Sequence, residues 1–358
     1  MRKPLNSLLL IIAFAISTTI SAQADPPDKQ VELDSLHAVW QDNTQADSTR
    51  VAAYSSYIGK AFLGNDPDSM IPLAQELLAF GDEKRYPKAK ALAYRLQALS
   101  YQATGDYSQA LANSKRCLDI SEEIGYEKGV SNSLIDMGST HYYQGNYPQA
   151  VGYYQQALKI AEEDGDKRDI AGLSTNIGVI SMNQGNNPQA LEYYQRGLKI
   201  NEEMGDKLGM ATSLNNIGNV YLNISDFPQA MNYYQRGMKL YEEIGNNSGM
   251  AIALSNMGAI AVQQHDYPQA LNYCQRSLRI REEIGDKAGQ VLPLWHMGRV
   301  YDKQGDYPSA LEYYGRSLKV AEEGGDKRGM ALALGNMGEV YNKQMLYARA
   351  LDPCRRSL

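Results

Sequence analysis

The stretch SDFPQAMNYYQRGMKLYEEIGNN, from Ser225 to Asn247, returns 80 residues later as GDYPSALEYYGRSLKVAEEGGDK, from Gly305 to Lys327. A glycine recurs every 40 residues ahead of an apolar step, at Gly138, Gly178, Gly218, Gly258, Gly298 and Gly338. An alanine keeps the same period, at Ala110, Ala150, Ala190, Ala230, Ala270, Ala310 and Ala350. A fixed period without insertions predicts a solenoid of near-identical units.

Each unit contains two amphipathic segments, which predict a helical hairpin. The first, as in GMATSLNNIGNVYLN from Gly209, carries an apolar stripe of helical spacing. A turn such as QGDY follows, where glycine suits the left-handed end of one helix and aspartate caps the next. Small residues alternate with paired tyrosines along the second segment, as at Tyr233 and Tyr234. We interpret these tyrosines as core and spacer residues, not as a cofactor cage.

The pattern N-x-G-x-x-Y…A-x-x-x-Y-x-x-[AGS]-L, read from Asn216 to Met238, resembles the tetratricopeptide repeat (TPR). The units exceed the family's length of about 34 residues, and in this they are similar to repeats of kinesin light chain and of bacterial envelope sensor proteins. The resemblance implies an all-α fold, a right-handed superhelical solenoid of helical hairpins. It also implies a concave groove lined by the first helix of each unit.

Three segments are predicted. Residues 1–24 combine Arg2 and Lys3 with an apolar run and the sequence Ala22-Gln23-Ala24, which indicates a cleaved signal peptide; an uncleaved anchor is the alternative. Residues 25–88 form a lead-in and an atypical capping hairpin. Residues 89–358 form the array of 40-residue repeats, whose last repeat is incomplete and interrupted by Pro353. The protein is therefore expected to be exported, and so periplasmic or secreted.

Composition excludes several partners. The chain has 35 Lys+Arg and 41 Asp+Glu, and removal of residues 1–24 leaves it more acidic still. Because no basic block is present, nucleic-acid binding is not expected. No later apolar stretch is long enough to predict a membrane span. The cysteines Cys117, Cys274 and Cys354 are expected to be buried free thiols.

The sequence offers no sign of catalysis. Its four histidines form no metal-binding pair on one helical turn, and no nucleotide or hydrolase motif occurs. Acidic pairs such as Glu202-Glu203 and Glu242-Glu243 recur with the repeat, which is typical of solvated helix ends. We therefore expect a protein that is not an enzyme and that carries no metal or cofactor.

A polar ladder is the strongest functional pattern. Two residues before the recurrent glycine stand Asp136, Asn176, Asn216, Asn256, His296 and Asn336. Apolar neighbours fill the core, so these side chains are expected to point elsewhere. The TPR resemblance implies that asparagines here face the groove and hold the backbone of an extended peptide, which suits an amide's donor and acceptor. The alternative is that they are solvated or fix the register between repeats.

Weak amide contacts need a stronger anchor, and the unit from Gly289 supplies one. Trp295 and Arg299 are residue types typical of binding hot spots, and they flank His296. Upstream, Asn219 and Asn223 add amides on a single helix, and Tyr142 adds an aromatic wall. We predict that this set, with the ladder, binds a peptide.

The sequence thus predicts an exported, non-enzymatic TPR scaffold that binds a protein or extended peptide in its concave groove. Two alternatives stay open. The chain could be the N-terminal sensor region of a truncated envelope signalling protein, of the histidine kinase, cyclase or transcription-regulator type. It could also be a structural assembly scaffold that self-associates through its ends.

Overall fold

The computed structural model describes residues 27–346, which contain sixteen α-helices, two short 3-10 helices and no strand. The chain divides into two compact units, one up to Ile200 and one from Asn201 onwards. The predicted signal peptide, Cys354 and Pro353 lie outside the described residues.

The first unit begins with three helices that precede the regular repeats and continues with the first repeats. Its helices are α1 (Pro27–Gln41), α2 (Asp47–Phe62), α3 (Met70–Glu83), α4 (Pro87–Ala103), α5 (Tyr107–Glu123), α6 (Glu127–Tyr143), α7 (Tyr147–Asp164), α8 (Lys167–Asn183) and α9 (Asn187–Met204), which ends in the second unit. The second unit continues with α10 (Lys207–Asn223), α11 (Phe227–Glu243), α12 (Asn247–Gln263), α13 (Tyr267–Glu283), α14 (Val291–Gln304), α15 (Tyr307–Glu323) and α16 (Lys327–Lys343).

Consecutive helices pack as hairpins. We call α4, α6, α8, α10, α12, α14 and α16 the first helices, and α5, α7, α9, α11, α13 and α15 the second helices. The first helix of a repeat contacts its own second helix and the first helix of a neighbouring repeat, as α12 contacts both α13 and α14. The predicted all-α fold of helical hairpins is confirmed.

The turns follow the predicted chemistry. Within the α14–α15 hairpin, Gly305 adopts a left-handed φ of 80°, and the Asp306 side chain accepts a hydrogen bond from the backbone N–H of Ser309 at 3.2 Å. Asp106, Asp166, Asp206, Asp226, Asp266, Asp286 and Asp326 cap in the same way. Asn146, which stands at the equivalent place in its repeat, makes no such side-chain bond. These caps satisfy backbone donors that a helix start leaves unpaired.

Four of the described turns lack the glycine, at Arg85, Ser225, His265 and Met345. Ser225 and His265 occupy its place with left-handed φ values of 62° and 61°, a conformation that costs a non-glycine residue about 1–2 kcal/mol. We expect Ser225→Gly to raise the free energy of unfolding by about 0.5–1 kcal/mol, because glycine relieves this strain but loses more chain entropy. Urea unfolding of the two proteins measures the change. A matched Ser309→Gly variant, placed in a helix, should destabilise instead.

The core repeats a small residue against a large one. Tyr154, Tyr194, Tyr234 and Tyr314 are fully buried, which confirms their interpretation as core residues. A Cβ added to Gly218 would lie 2.7 Å from the Tyr234 ring, so only glycine fits there. In the next repeat Cys274 replaces the tyrosine, opposite Gly258. Cys117 and Cys274 are buried free thiols as predicted, and burial raises the pKa of Cys274 to about 12.

An aromatic cluster ends the array on the N-terminal side. The Trp40 ring on α1 stacks on Tyr54 of α2 at 4.2 Å between centroids. The Arg50 guanidinium lies 5.2 Å from the Trp40 ring centre. The same cluster includes Ala89 and Leu96 of α4, so α1–α3 cover the apolar face of the first regular repeat. A solenoid needs such a cover because its terminal core would otherwise meet water.

Candidate functional site

The predicted ladder residues lie on the first helices, but they are buried. Asp136, Asn176, Asn216, Asn256 and His296 are each at most 9% exposed, and Asn336 is half-buried. The expectation that these side chains point away from the core is therefore wrong for all but Asn336. The reason is geometric. A first helix contacts its own second helix and neighbouring first helices, so only a narrow strip of its surface stays open.

In the second unit the amides hydrogen-bond to one another across repeats. Asn256 Nδ2 on α12 donates to Asn219 Oδ1 on α10 at 3.2 Å, and the Tyr234 hydroxyl donates to the same oxygen at 2.6 Å. Asn336 Nδ2 donates to the Leu332 carbonyl at 2.8 Å. The Asn256–Asn219 bond fits the register role that the sequence left as the alternative to peptide binding, whereas the Asn336 bond stays within α16.

In the first unit the ladder position holds an ion pair. Arg95 Nε on α4 donates to Asp136 Oδ2 on α6 at 2.9 Å. Because burial outweighs the attraction of Arg95, the pKa of Asp136 lies above its ordinary value. Gln102 Nε2 donates to Thr140 Oγ1 at 2.9 Å beside the pair. The group joins the first two regular repeats through polar contacts.

Several buried polar atoms on the first helices have no partner among the described residues. They are Ser131 Oγ, His141 Nδ1, Asn176 Oδ1, Asn183 Oδ1, Asn215 Oδ1, Asn216 Nδ2, Asn219 Nδ2, Trp295 Nε1 and both ring nitrogens of His296. Buried polar groups are nearly always hydrogen-bonded in native proteins. The concentration of such unpaired polar atoms on the first helices is therefore unusual for a native protein.

Trp295 is a core residue. It is 7% exposed and packs in a cluster with Ala310, Tyr314 and Val340. The prediction that its ring lines the groove is wrong, because the ring fills space among α14, α15 and α16 instead. Sequence position could not reveal this, since the same place in other repeats holds small or polar residues such as Ser255 and Gly335.

Arg299 is the accessible member of the predicted anchor. Its guanidinium lies 4.9 Å from the centre of the Trp295 ring and is half-buried, and burial lowers its pKa. Within residues 27–346 it has no hydrogen bond to a carboxylate. Asp302, one turn further along α14, is held by Lys343 Nζ at 2.6 and 2.7 Å. Arg299 thus presents a cation, oriented by an aromatic ring, without a partner anion.

The other predicted residues lie apart from Arg299. Asn219 is buried by Tyr234 and Asn256, and Asn223 is half-buried at the end of α10. Tyr142 belongs to the first unit, where its hydroxyl accepts a hydrogen bond from Asn183 Nδ2 at 3.3 Å. The structure brings together His296, Trp295 and Arg299 on α14, and Asn219 and Asn256 across α10 and α12.

Sequence reasoning missed the charged residues around Arg299. Asp302, Glu339 and Lys343 lie on α14 and α16 near it. A signal was available, because Asp302 occupies a place that holds Met182, Leu222 and Val262 in the preceding repeats. A carboxylate at a position that is apolar in the preceding repeats indicates that this part of α14 makes polar contacts.

His296 is fully buried beside Arg299. Burial, with a smaller effect of the Arg299 charge, lowers the pKa of His296 to about 3, whereas an unfolded chain titrates near 6.5. Because the folded-state pKa is the lower one, the contribution of neutral His296 to stability is complete above pH 6.5. It is lost progressively as the pH falls from 6.5 towards 3, by about 1.4 kcal/mol per pH unit.

Replacing His296 with asparagine, the residue most other repeats carry at this place, is expected to flatten this acid dependence. Between pH 6.5 and pH 5 the variant should lose about 2 kcal/mol less stability than the wild type. Urea unfolding at the two pH values, followed by tryptophan fluorescence, measures the difference. Equal losses in both proteins would show that His296 does not titrate on unfolding as argued.

Among residues 27–346 no group of three or more histidine, cysteine, aspartate or glutamate side chains could hold a metal ion. In the same part of the chain, no helix combines the length and apolar character needed to cross a membrane.

Tetratricopeptide-repeat family models match residues 90–163, 169–243, 249–323 and 297–358. The chain therefore belongs to the tetratricopeptide-repeat family. The sequence matches no curated protein.

Solved structures share the fold. The apo quorum sensor NprR from B. thuringiensis superposes with a TM-score of 0.70 at 15% identity, over 92% of this chain and 97% of that one. A Rap protein complexed with competence and sporulation factor gives 0.61 at 14% identity, over 92% and 96% of the two chains. BtubC from P. vanneervenii gives 0.54 at 20% identity, over 62% and 92%. At these identities the likeness concerns the fold.

Proposed function

We propose that the protein is an exported, non-enzymatic scaffold that binds a segment of a partner protein along the first helices of its second unit. Arg299 carries the proposal. A half-buried guanidinium that no carboxylate bonds, and that Asp302 and Glu339 attract only from a distance, is stabilised by a partner that supplies a bonded anion, and the Trp295 ring already orients it. The partner segment would place a carboxylate on Arg299.

The surroundings of Arg299 support a peptide-like ligand. Asn336 is half-buried on the adjacent first helix, and its amide offers both a donor and an acceptor to a peptide unit. The solved Rap protein complexed with competence and sporulation factor shares this fold, which supports the proposal of a bound partner segment. The buried asparagines Asn216 and Asn256 would not contact the partner segment but would hold α10 and α12 in position.

Arg299→Gln tests the proposal. Loss of one charge-assisted contact is expected to weaken partner binding about 10- to 100-fold. The measurement is capture of proteins from an envelope extract on immobilised protein, followed by titration of the captured partner. Arg316→Gln is the matched control, because Arg316 also lies over a tyrosine, at 5.2 Å from the Tyr313 ring centre, but on a second helix. Equal binding by both variants and the wild type would refute the assignment to Arg299.

Export is a separate part of the proposal and rests on residues 1–24 alone. Cleavage after Ala24 would give a mature protein that begins with Asp25. N-terminal sequencing of the protein from the envelope fraction tests it, and an intact Met1 would contradict it. The sensor-region and assembly-scaffold alternatives remain predictions.

A further inference from the structure

A cavity of about 450 Å³ opens on the first unit, away from the ladder. It lies between the second helices α5 and α7, and α6 forms its floor. Leu118, Leu134, Met137 and Ile160 give it apolar walls, and Tyr153 adds an aromatic ring. That ring is held in place by stacking on His141, at 5.5 Å between centroids and 3° between planes.

The rim of the cavity carries one carboxylate without a partner. Lys115 bonds to Asp119 at 2.5 Å and Lys159 lies 3.8 Å from Glu163, so both ammonium groups are neutralised on their own helices. The Glu122 side chain makes neither a hydrogen bond nor an ion pair within the described part of the chain. The cavity therefore has apolar walls and, on its rim, one carboxylate that no side chain bonds beside two lysines that are each paired on their own helix, and this carboxylate suits a cation on an apolar stem.

The neighbouring repeats show which cation fits. At the place of Gln156 the other second helices carry arginine, at Arg116, Arg196, Arg236, Arg276 and Arg316. Arg196 pairs with Glu162, which stands 40 residues after Glu122. The guanidinium groups of Arg236 and Arg316 lie over tyrosines equivalent to Tyr153, at 5.3 and 5.2 Å.

Gln156 makes neither contact, because its shorter, neutral side chain donates instead to the Gly152 carbonyl of its own helix at 3.3 Å. The α5–α7 repeat thus keeps the carboxylate and the aromatic ring that receive an arginine elsewhere in the array, and it keeps the space open. Guanidinium groups bind carboxylates through directed hydrogen bonds and stack on aromatic faces.

We propose that this cavity is a docking site for an arginine side chain of a partner protein. The arginine stem would lie against Leu118, Leu134 and Met137, and its guanidinium would bind Glu122 and stack on Tyr153. The site is on a different unit and a different set of helices from Arg299, so it does not depend on the function proposed above.

The test uses the full chain and N-acetyl-arginine amide as the probe. With methionine methyl groups labelled with ¹³C, and the Met137 signal identified by Met137→Leu, the probe should shift that signal in a saturable way. N-acetyl-citrulline amide has the same shape without the charge, and we expect its affinity to be lower by about tenfold or more.

Two variants probe the site itself. Gln156→Arg should fill the cavity with the chain's own arginine and abolish the shift, and Glu122→Gln should weaken binding about tenfold. Glu123→Gln, a loss of the same charge at an exposed residue outside the cavity, should bind like the wild type. Circular dichroism checks that each variant is folded. An unmoved Met137 signal, equal binding of citrulline, or wild-type binding by Gln156→Arg would overturn the proposal.

Discussion

Trp295→Ala is expected to loosen α14, α15 and α16 and to lower the free energy of unfolding of this region by about 3–5 kcal/mol. The indole is nearly fully buried among Ala310, Tyr314 and Val340. Its removal leaves a cavity that these neighbours cannot fill. It also removes the aromatic surface under the Arg299 guanidinium.

Hydrogen–deuterium exchange resolves this effect locally, because each repeat of a solenoid can open with its own free energy. Amides of α14–α16 should exchange at least about 100-fold faster in the variant, whereas those of α4–α7 should keep their rates. Arg299→Gln is the control, since it retains the indole. Unchanged exchange together with lost partner capture would show that Trp295 is a binding residue after all.

Arg95→Met is expected to destabilise the first unit by about 2–3 kcal/mol near pH 7, because it leaves the buried Asp136 carboxylate without its counter-charge. Because methionine retains most of the apolar stem of the arginine side chain, the expected loss of stability comes from the missing charge. In the folded state the pKa of Asp136 is already raised by burial, and removal of Arg95 raises it further.

The sign of the pH effect follows. A carboxyl whose folded-state pKa is raised destabilises the fold once it ionises, so the penalty of Arg95→Met should shrink as the pH falls through that pKa. Urea unfolding at pH 7 and pH 5 measures it. The double variant Arg95→Met, Asp136→Asn carries the asparagine found in most other repeats and should recover most of the stability. No recovery would mean that Arg95 acts through packing and not through its charge.

The fold could be predicted because the same pattern of helix, turn and core residues recurs in every repeat of the chain. The recurrence of Gly218 and Tyr234 at a constant spacing fixes one packing contact, and in the structure the Tyr234 ring lies so close to Gly218 that a Cβ added there would be only 2.7 Å from it. The turn residues Gly305 and Asp306 specify their conformation through short-range chemistry alone. Such local rules need no knowledge of the neighbouring repeat.

The candidate site was harder because its residues depend on contacts between repeats. Asn256 and Asn219 are 37 positions apart and bond to each other, which no pattern within one helix indicates. Trp295 resembles a hot-spot residue in sequence but is covered by α15 and α16. The sequence identified Arg299 by its residue type. Only the structure shows that Asp302 does not bind Arg299, because Lys343 binds Asp302 instead.

The strict 40-residue spacing also bears on how such a chain can change over generations. In each repeat a small residue packs against a large one inside the hairpin, and capped turns such as the one at Asp326 connect one hairpin to the next, so gain or loss of one whole hairpin recreates contacts that are already present elsewhere in the chain. Length can therefore vary by recombination between copies, without any new contact surface having to arise. Only the differing residues, such as Gln156, Arg299 and His296, would be gained or lost with the copy that carries them.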